Sequence, residues 1–513
     1  MKDYGFVQKI ATDPSGTLSY VESNTNSMKP KTILLIHGIS ANWRDWKTSM
    51  LKLHQENFDK GINSNVYRRL AYDEIFSHFL VMSKNRKKVK KYKKKAKKFK
   101  KLISTKIMNS LPFQLTESQK KVVNEIESDL KSKKKMFRVV QGDVGSGKTI
   151  VALLAATNVI ESKFQCALMA PTEILAKQHF ELAKKIYKDT NFKIDFLTGK
   201  TENKERKKIL KNLEEGKINL IIGTHALFQK KISFKKLGLA IIDEQHKFGV
   251  KQRLELAKKG GNNCDVLLMS ATPIPRTMMM SLYGDMDISK IDEKPANRKK
   301  ITTISKPEKK INELWPYIKK QILNQNQIFW VCPLIEESSY LDFSSAKKKF
   351  DQINKRFPNK VGLIHGALDK IDKEIVLKKF LNKEISILVS TTVIEVGIDF
   401  PNANLIIIEN SNKFGLAQLH QLRGRVGRGD KQGICILLFQ DGLSKNAIKR
   451  IKTLKQSDDG FYIAEEDLKL RGFGDLIGYQ QSGVKNFRFA DPVIHEDLFK
   501  LAEKYVFSNE IDI

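Results

Sequence analysis

Residues Gly142–Thr149 read G-D-V-G-S-G-K-T, which has the glycine and lysine spacing of a phosphate-binding loop. The apolar run Phe137–Gln141 before it predicts a strand, and Thr149–Ile160 after it predicts a helix. Backbone N–H groups of such a loop, together with the positive end of the helix, bind phosphate. We therefore expect Lys148 to reach the β- and γ-phosphates of ATP and Thr149 to hold Mg²⁺. The loop glycines are Gly142, Gly145 and Gly147.

Two acidic residues follow another predicted strand. Leu239–Ile242 is apolar, and Asp243-Glu244-Gln245-His246 comes directly after it. Acids at the carboxyl end of a buried strand lie in the ligand crevice of a parallel sheet. We expect Asp243 to bind the metal and Glu244 to act as a general base on the attacking water. Together with the loop, this pair predicts ATP hydrolysis.

Short apolar runs alternate with helical stretches from about Leu111 onwards. The runs are apolar on both faces, as strands of a parallel sheet covered by helices on both sides require. The first set comprises Phe137–Gln141, Cys166–Ala170, Leu220–Gly223, Leu239–Asp243 and Val266–Ser270. The second set comprises Ile328–Val331, Val361–Ile364, Ile385–Val389, Leu405–Ile408 and Ile434–Phe439. The pattern predicts an α/β fold with two doubly wound parallel-sheet domains in tandem.

The net charge of +35 indicates a polyanionic partner, either nucleic acid or an anionic membrane surface. Because the chain contains 76 Lys and 16 Arg, a general preference for lysine is the competing explanation. Residues 84–101 carry 13 of the basic residues and no acid. Val89, Tyr92, Ala96 and Phe99 recur there at helical spacing, which predicts a basic helix. That helix is either a solvated linker or an arm that follows phosphates.

Composition excludes several classes of protein. No apolar run approaches the roughly 18 residues of a membrane helix, and the first residues lack the pattern of a secretory signal. The cysteines are far apart and lack zinc-ligand spacing. They are Cys166, Cys264, Cys332 and Cys435. We expect them to be reduced core residues of a cytoplasmic protein.

Several further motifs, in the expected order, resemble those of superfamily 2 helicases. Leu115-Thr116 with Gln119 resembles the adenine-reading element before the phosphate-binding loop, and Thr116-x-x-Gln119 also predicts a helix capping box. A-P-T-E at 170–173, G-T-H at 223–225 and S-A-T at 270–272 resemble elements that contact nucleic acid or link hydrolysis to domain movement. The resemblance implies DNA-binding or coupling roles for Thr172, Thr224, His246, Ser270, Thr272 and Thr392.

The second predicted domain ends with Gln421–Arg428, Q-L-R-G-R-V-G-R, which resembles the helix that faces the nucleotide across the cleft in this superfamily. The resemblance implies two RecA-like domains whose closure completes the site. It also implies that Arg428 is an arginine finger and that Gln421 and Arg425 are catalytic. Nucleotide state and domain closure would then be coupled.

Within the superfamily, the chain resembles the RecG family of branched-DNA translocases more closely than DEAD-box RNA helicases. The strings D-E-Q-H-K-F-G-V-K-Q-R at 243–253 and S-A-T-P-I-P-R-T at 270–277 carry this resemblance. Residues 460–483 resemble the translocation motif that RecG shares with the transcription-repair coupling factor Mfd, which implies coupling roles for Arg471 and Gln481. Phe473 stands where the family usually has proline, and Gln480 where a basic residue is common.

The front of the chain departs from this family. Arg68–Glu74 resembles the start of the family's long linking helix, and the 67 residues before it are too few for an OB-fold wedge domain. We therefore expect the wedge to be missing or supplied by another protein. Thr32–Gly38 resembles the first strand and His-Gly loop of an α/β-hydrolase. No G-x-S-x-G follows, so hydrolase catalysis is not expected, and a buried strand or a fused or misassembled fragment is the better interpretation.

These expectations divide the chain into five segments. Residues 1–49 are an atypical N-terminal segment, and 50–110 are the basic linking helix region. Residues 111–295 and 296–455 are the first and second RecA-like domains, with ATP bound by the first. Residues 456–513 are the C-terminal translocation motif.

The leading hypothesis is an ATP- and Mg²⁺-dependent helicase that moves on duplex DNA and remodels stalled forks and Holliday junctions in recombination and repair. We expect a monomer, with a separate wedge or single-strand-binding protein as a candidate partner. The alternatives are an Mfd-like translocase acting on RNA polymerase and a non-catalytic remnant that binds branched DNA. Intact Lys148, Glu244, Arg425 and Arg428 argue against the remnant.

Overall fold

The structure is a computed structural model. It describes residues 6–13, 16–23, 32–33, 65–91, 94–229, 232–243, 261–271, 273–275, 286–295, 298–333, 339–391, 400–429, 431–477 and 487–508. These residues form two compact units. The smaller contains the described residues of 6–87 and 487–508, and the larger contains those of 88–275 and 286–483.

The smaller unit begins with antiparallel strands β1 (Phe6–Asp13), β2 (Gly16–Ser23) and β3 (Thr32–Ile33). Its long helix is α1 (Asn65–Lys91), which includes the predicted start of the linking helix. Phe79 of α1 packs in a buried hydrophobic cluster with Phe499, which lies in the helix Glu496–Glu503. The rest of the hydrolase-like segment, beyond Ile33, lies outside the described residues.

The larger unit begins with a seven-stranded parallel sheet and its helices, which together we name lobe 1. The strands are β4 (Phe137–Gly142), β5 (Gln165–Met169), β6 (Ile194–Leu197), β7 (Leu220–Gly223), β8 (Leu237–Ile242), β9 (Asp265–Ser270) and β10 (Asp287–Ile291). The helices are α2 (Leu102–Ser110), α3 (Glu117–Lys131), α4 (Lys148–Glu161), α5 (Glu173–Ile186) and α6 (Asn203–Glu214). The strand order is β10-β4-β9-β8-β5-β7-β6. Because all neighbouring strands pair in parallel, the carboxyl ends of all the strands lie at the same end of the sheet.

A second parallel sheet and its helices form lobe 2. The strands are β11 (Thr302–Pro307), β12 (Gln327–Val331), β13 (Val361–Ile364), β14 (Ile387–Ser390), β15 (Ala403–Ile408) and β16 (Ile434–Phe439), in the order β11-β16-β15-β12-β14-β13. The helices are α7 (Trp315–Leu323), α8 (Ser339–Arg356), α9 (Lys370–Leu381), α10 (Leu416–Arg423), α11 (Lys445–Gln456) and α12 (Gly460–Ile477). Helix α13 (Glu496–Glu503) belongs to the smaller unit. Short 3₁₀-helices cover His225–Phe228, Gly261–Asn263, Glu308–Leu314 and Ser411–Lys413, and a π-helix covers Lys504–Ser508.

The predicted fold class is confirmed, because two parallel sheets follow each other and helices alternate with their strands. All ten predicted strands are present, with ends within two residues of those expected. Strands β6, β10 and β11 were not predicted. Each lies at an edge of its sheet and is only partly buried, so its sequence lacks the continuous apolar run of a central strand.

The predicted basic helix over 84–101 is wrong beyond Lys91, because 94–100 is not helical. Lys94 Nζ lies 2.7 Å from both carboxylate oxygens of Asp265, and Lys97 Nζ lies 2.5 Å from Oδ2. All three side chains are fully buried. Burial lowers the pKa of the Lys94 ammonium, although the charge of Asp265 opposes the shift. These two lysines therefore anchor the segment inside lobe 1 and do not reach solvent to follow phosphates.

Two further predictions concern the interior of the fold. The four cysteines are free thiols, and all are buried, as expected. Burial raises the pKa of both Cys264 and Cys435 to about 12, so these thiols stay protonated at neutral pH. Within the described part of the chain, none of the helices combines the length and the apolar character that crossing a membrane requires.

Candidate functional site

The phosphate-binding loop has the predicted strand-loop-helix geometry. It connects β4 to α4, which begins at Lys148. Gly145 and Gly147 have φ angles of +78° and +84°, a region that residues with a Cβ rarely adopt. A Cβ at Gly147 would also lie 2.3 Å from Gln119 Nε2. The loop therefore needs glycine at both positions, and the N-terminus of α4 points its N–H groups into the loop, as an anion site requires.

The residues around this loop hold it from two sides. Lys148 Nζ donates to the carbonyl oxygens of Gly142 and Asp143, at 2.8 and 3.0 Å. Gln119 Nε2 donates to the carbonyl oxygen of Ser146 at 2.7 Å. The capping box at Thr116 is present in both directions and fixes Gln119 at the start of α3. The structure thus brings the predicted Gln119 against the loop.

Asp243 lies at the same end of the sheet as the phosphate-binding loop, directly after β8. Its backbone N–H donates to the carbonyl oxygen of Met169 at 2.8 Å, and its Oδ2 is 2.8 Å from Nε2 of His179 on α5. His179 is buried and orients the carboxylate, a role that its position in the helix gave no reason to expect. Glu244 and His246 lie outside the described residues.

Three of the residues for which the sequence resemblance implies DNA-binding or coupling roles also lie at the carboxyl end of this sheet. Thr172 caps α5, where its hydroxyl accepts from the backbone N–H of Leu175 at 3.3 Å. Thr224 follows β7, is buried, and has no hydrogen-bond partner for Oγ1 among the described residues. Ser270 ends β9 and is buried. Thr272, Thr392 and Gln481 lie outside the described residues, as does the side chain of Arg471 on α12.

The predicted arginine motif, Gln421–Arg428, lies beside the phosphate-binding loop, but it is helical only as far as Arg423, where α10 ends, so Arg425 and Arg428 follow the helix. We call α10 the arginine helix. Arg298, on the connection between the lobes, donates to the carbonyl oxygens of Val144 in the loop and Gly424 at the end of α10. Arg428 Nε donates to the carbonyl oxygen of Gly424 at 3.2 Å. Gln421 is half-buried and Arg425 is buried. The structure therefore brings the predicted arginine motif against the predicted phosphate site.

A polar cluster joins the loop to lobe 2, and we name it the Asp143 cluster. It comprises Asp143, Lys294, His420, Arg423 and Asp458. Asp143, His420 and Arg423 are buried in it, and Lys294 and Asp458 are half-buried. His420 Nε2 lies 2.8 Å from Asp143 Oδ1, and Lys294 Nζ lies 2.9 Å from Oδ2. Burial alone would raise the pKa of the Asp143 carboxyl, but the hydrogen bond and charge of His420 and the charge of Lys294 outweigh it. That pKa is held well below its usual range, so the carboxylate is charged.

The same cluster reaches the start of α12. Arg423 lies 2.9 Å from His420 Nδ1 and donates to the carbonyl oxygens of Leu454 and Ser457, at 2.5 and 3.0 Å. A Cβ on Gly460, the first residue of α12, would lie 2.9 Å from both Asp143 Cγ and His420 Nε2. The phosphate-binding loop, the arginine helix and α12 therefore meet within van der Waals contact.

None of the cluster's members had a role that the sequence predicted. Asp143 occupies a variable position of the loop motif, and His420 directly precedes the arginine motif. Their adjacency to predicted site residues was the signal that could have found them. The pairing itself joins residues 277 positions apart, which only the fold could bring together.

Three family matches cover most of the described site. Residues 116–280 match the DEAD/DEAH box helicase family, and 309–430 match the helicase conserved C-terminal domain. Residues 457–504 match the C-terminal part of domain 3 of the ATP-dependent DNA helicase RecG. This last match does not favour the Mfd-like alternative.

Two curated relatives and one solved structure also point to RecG. The ATP-dependent DNA helicase RecG of Thermotoga maritima is 45% identical over 87% of this chain and 57% of its own length. RecG of Escherichia coli strain K12 is 43% identical over 83% of this chain and 62% of its own length. A solved structure of RecG bound to a three-way DNA junction is 35% identical, with a TM-score of 0.73, over 95% of this chain and 70% of that one.

The chain thus spans about three-fifths of the length of the curated relatives that it matches. The expectations of a missing wedge, of a separate wedge partner and of a monomer stay predictions. From the three family matches and the identity to these relatives, we conclude that the chain belongs to the RecG family of superfamily 2 helicases.

Proposed function

We propose that the chain is an ATP-driven motor that translocates on duplex DNA and remodels branched DNA such as stalled forks and Holliday junctions. The observation that carries the proposal is the Asp143 cluster, which ties the phosphate-binding loop to the arginine helix and to the start of α12. A motor needs such a connection, because changes at the nucleotide must move a distant element. A cytoplasmic location fits the four free, buried cysteines.

Each part of the nucleotide site has a proposed task. Backbone N–H groups around Gly142, Gly145 and Gly147 bind the phosphates, and Lys148 neutralises charge on the β- and γ-phosphates. The oxygen ligands that Mg²⁺ prefers are supplied by Thr149 in the first turn of α4 and by the buried Asp243. When bound, the ion neutralises charge that develops on the phosphate oxygens.

The remaining assignments follow from the motifs. Glu244 orients and deprotonates the attacking water, and Arg425 and Arg428, with Gln421, stabilise the charge of the transition state from lobe 2. On the DNA side, Thr172, Thr224 and Ser270, with His246, Thr272 and Thr392, contact the backbone or transmit closure. Arg471 and Gln481 couple that movement to the duplex.

A comparison of nucleic acids tests this function. We expect a fork, a Holliday junction and linear duplex DNA to stimulate ATP hydrolysis at least about tenfold more than an RNA duplex, because the proposed track is duplex DNA. Equal rates on fork and linear DNA would assign the chain a translocase activity without branch preference. Stimulation by RNA equal to that by DNA, or no stimulation by DNA, would overturn the proposal.

The Asp143 cluster gives a second prediction. Asp143→Asn and His420→Asn should each lower the number of DNA strands displaced per ATP hydrolysed by about tenfold, since each disrupts the contact between the loop and α10 against which the start of α12 packs. The double variant should be impaired little more than either single one, because the effects of contacting partners are not additive. Parallel measurements of ATP consumption and strand displacement give this ratio. Additive effects in the double variant would show that the two residues act independently.

A further inference from the structure

A lysine-rich groove runs along the end of the lobe 1 sheet that is opposite to the phosphate-binding loop. Strands β5, β6, β7 and β8 begin at this end of the sheet, whereas the loop follows the carboxyl end of β4. Because the sheet is parallel, the end where its strands begin and the end where they finish are separated by the full length of the strands. The groove therefore lies apart from the predicted nucleotide and DNA contacts described above.

Three adjoining cavities form the groove. The central one has a volume of about 660 Å³ and lies between the C-terminal end of α4 and the starts of β5 and β8. It shares Thr190 and Phe192 with a cavity of about 520 Å³ on one side. It shares Phe164, Lys235 and Lys236 with a cavity of about 190 Å³ on the other. We name the three together the basal groove.

Lysine dominates the charge of the basal groove. Five lysines line the central and smallest cavities: Lys95, Lys106, Lys163, Lys235 and Lys236. Four more line the remaining cavity: Lys184, Lys188, Lys193 and Lys217. All nine are exposed, and the acids among the described lining residues are Glu161, Asp189 and Asp195. The groove thus carries a clear excess of positive charge.

Within the described part of the chain, most of these lysines form no ion pair. Lys217 pairs with Glu215, Lys235 donates to the carbonyl oxygen of Glu215, and Lys184 lies over the ring of Phe180. Among the described residues, the side chains of the other six have no ion pair or hydrogen bond. Like charges within about 10 Å repel each other at 0.1 M salt. A polyanion in the groove would relieve that repulsion.

The floor of the groove is held in place from below. Gln165 is buried, and its side chain donates to the carbonyl oxygens of Leu213 and Ile218 at 3.0 and 2.9 Å. Its Oε1 accepts from the backbone N–H of Lys236 at 3.0 Å. At one end, the backbone N–H of Lys95 donates to Oδ1 of Asn263, next to the buried pairing of Lys94 and Lys97 with Asp265. The lysines therefore extend from a fixed concave surface.

We propose that the basal groove binds the sugar-phosphate backbone of DNA, as a second contact apart from the end of lobe 1 that holds Thr172, Thr224 and Ser270. The proposal rests on DNA being the nucleic acid that the motor engages. A row of lysines along a concave surface suits repeated phosphates, and such contacts hold the backbone without reading bases. The groove would keep the chain bound to DNA while the contacts at the opposite end of lobe 1 are released and formed again.

The test compares two triple variants in the full chain. Lys106→Gln/Lys163→Gln/Lys236→Gln removes three charges from the central cavity. Lys319→Gln/Lys320→Gln/Lys379→Gln removes three exposed charges from lobe 2 and serves as the matched control. The affinity for a linear DNA duplex is measured by fluorescence anisotropy over a range of salt concentrations. ATP hydrolysis without DNA reports that both variants are folded.

We expect the groove variant to bind DNA at least about tenfold more weakly than the control at 0.1 M salt. The slope of log affinity against log salt should become shallower by up to about 0.9 for each DNA phosphate that the variant no longer neutralises. Equal affinities and slopes in the two variants would overturn the groove proposal. If the unaltered chain showed no DNA-stimulated ATP hydrolysis, the proposed function would fail instead, so the two failures are distinguishable.

Discussion

Lys148→Ala should lower DNA-stimulated ATP hydrolysis by about 100-fold or more. The side chain lies at the start of α4, where it meets the β- and γ-phosphates of a bound nucleotide in the proposed site. Charge developing on those phosphates is stabilised by fixed cations, and removing one such group commonly costs two to three powers of ten in rate. Steady-state hydrolysis with saturating duplex DNA measures the decrease.

Two controls accompany this variant. Lys319→Ala removes an exposed ammonium from lobe 2 and should leave the rate unchanged. DNA binding without ATP should stay within about twofold of the unaltered chain, because Lys148 is buried in the loop and does not face phosphates of DNA in the proposal. If Lys148→Ala kept more than half of the DNA-stimulated rate, the assignment of this loop as the hydrolytic site would be wrong.

Asp265→Asn should destabilise lobe 1 more than any surface substitution. The variant leaves the ammonium groups of Lys94 and Lys97 buried without a negative partner. Breaking one side of a buried ion pair typically costs about 3–5 kcal/mol. For a domain of this size, that corresponds to a fall of about 10 °C in the unfolding temperature. Differential scanning calorimetry measures it.

The matched control is an exposed ion pair in the same lobe. Glu181→Gln breaks the pair between Lys177 and Glu181, which lie 3.0 Å apart with both side chains exposed. Its unfolding temperature should stay close to that of the unaltered chain, because water screens such pairs. An unfolding temperature for Asp265→Asn equal to that of this control would contradict the buried-anchor interpretation.

The sequence was sufficient to predict the parts of the fold that depend on local pattern. The central strands are continuous apolar runs because both faces of each sheet are covered, and the runs near Val140 and Ile407 are clear examples. The edge strands β6, β10 and β11 bury one face or less, so their mixed sequences resemble loops. The capping box at Thr116 was also predicted, because its partners are three residues apart.

The site was predictable only where motifs fix the geometry. The glycines of the loop and Lys148 occupy the expected strand-loop-helix connection. The Asp143 cluster was not predicted, since its contacts depend on how two lobes close on each other. Helical spacing likewise suggested a basic helix through Lys94 and Lys97, but the carboxylate of Asp265, some 170 residues away, draws both inward. Long-range ion pairs of this kind leave no local signal.

The central claim is that ATP hydrolysis at this loop drives movement along duplex DNA. Displacement of a third strand from a linear triplex substrate measures such movement directly and needs no branch point. We expect the unaltered chain to displace the third strand with ATP, but not with a non-hydrolysable analogue and not after Lys148→Ala. DNA-stimulated ATP hydrolysis without any displacement would contradict the claim that this chain is a DNA translocase.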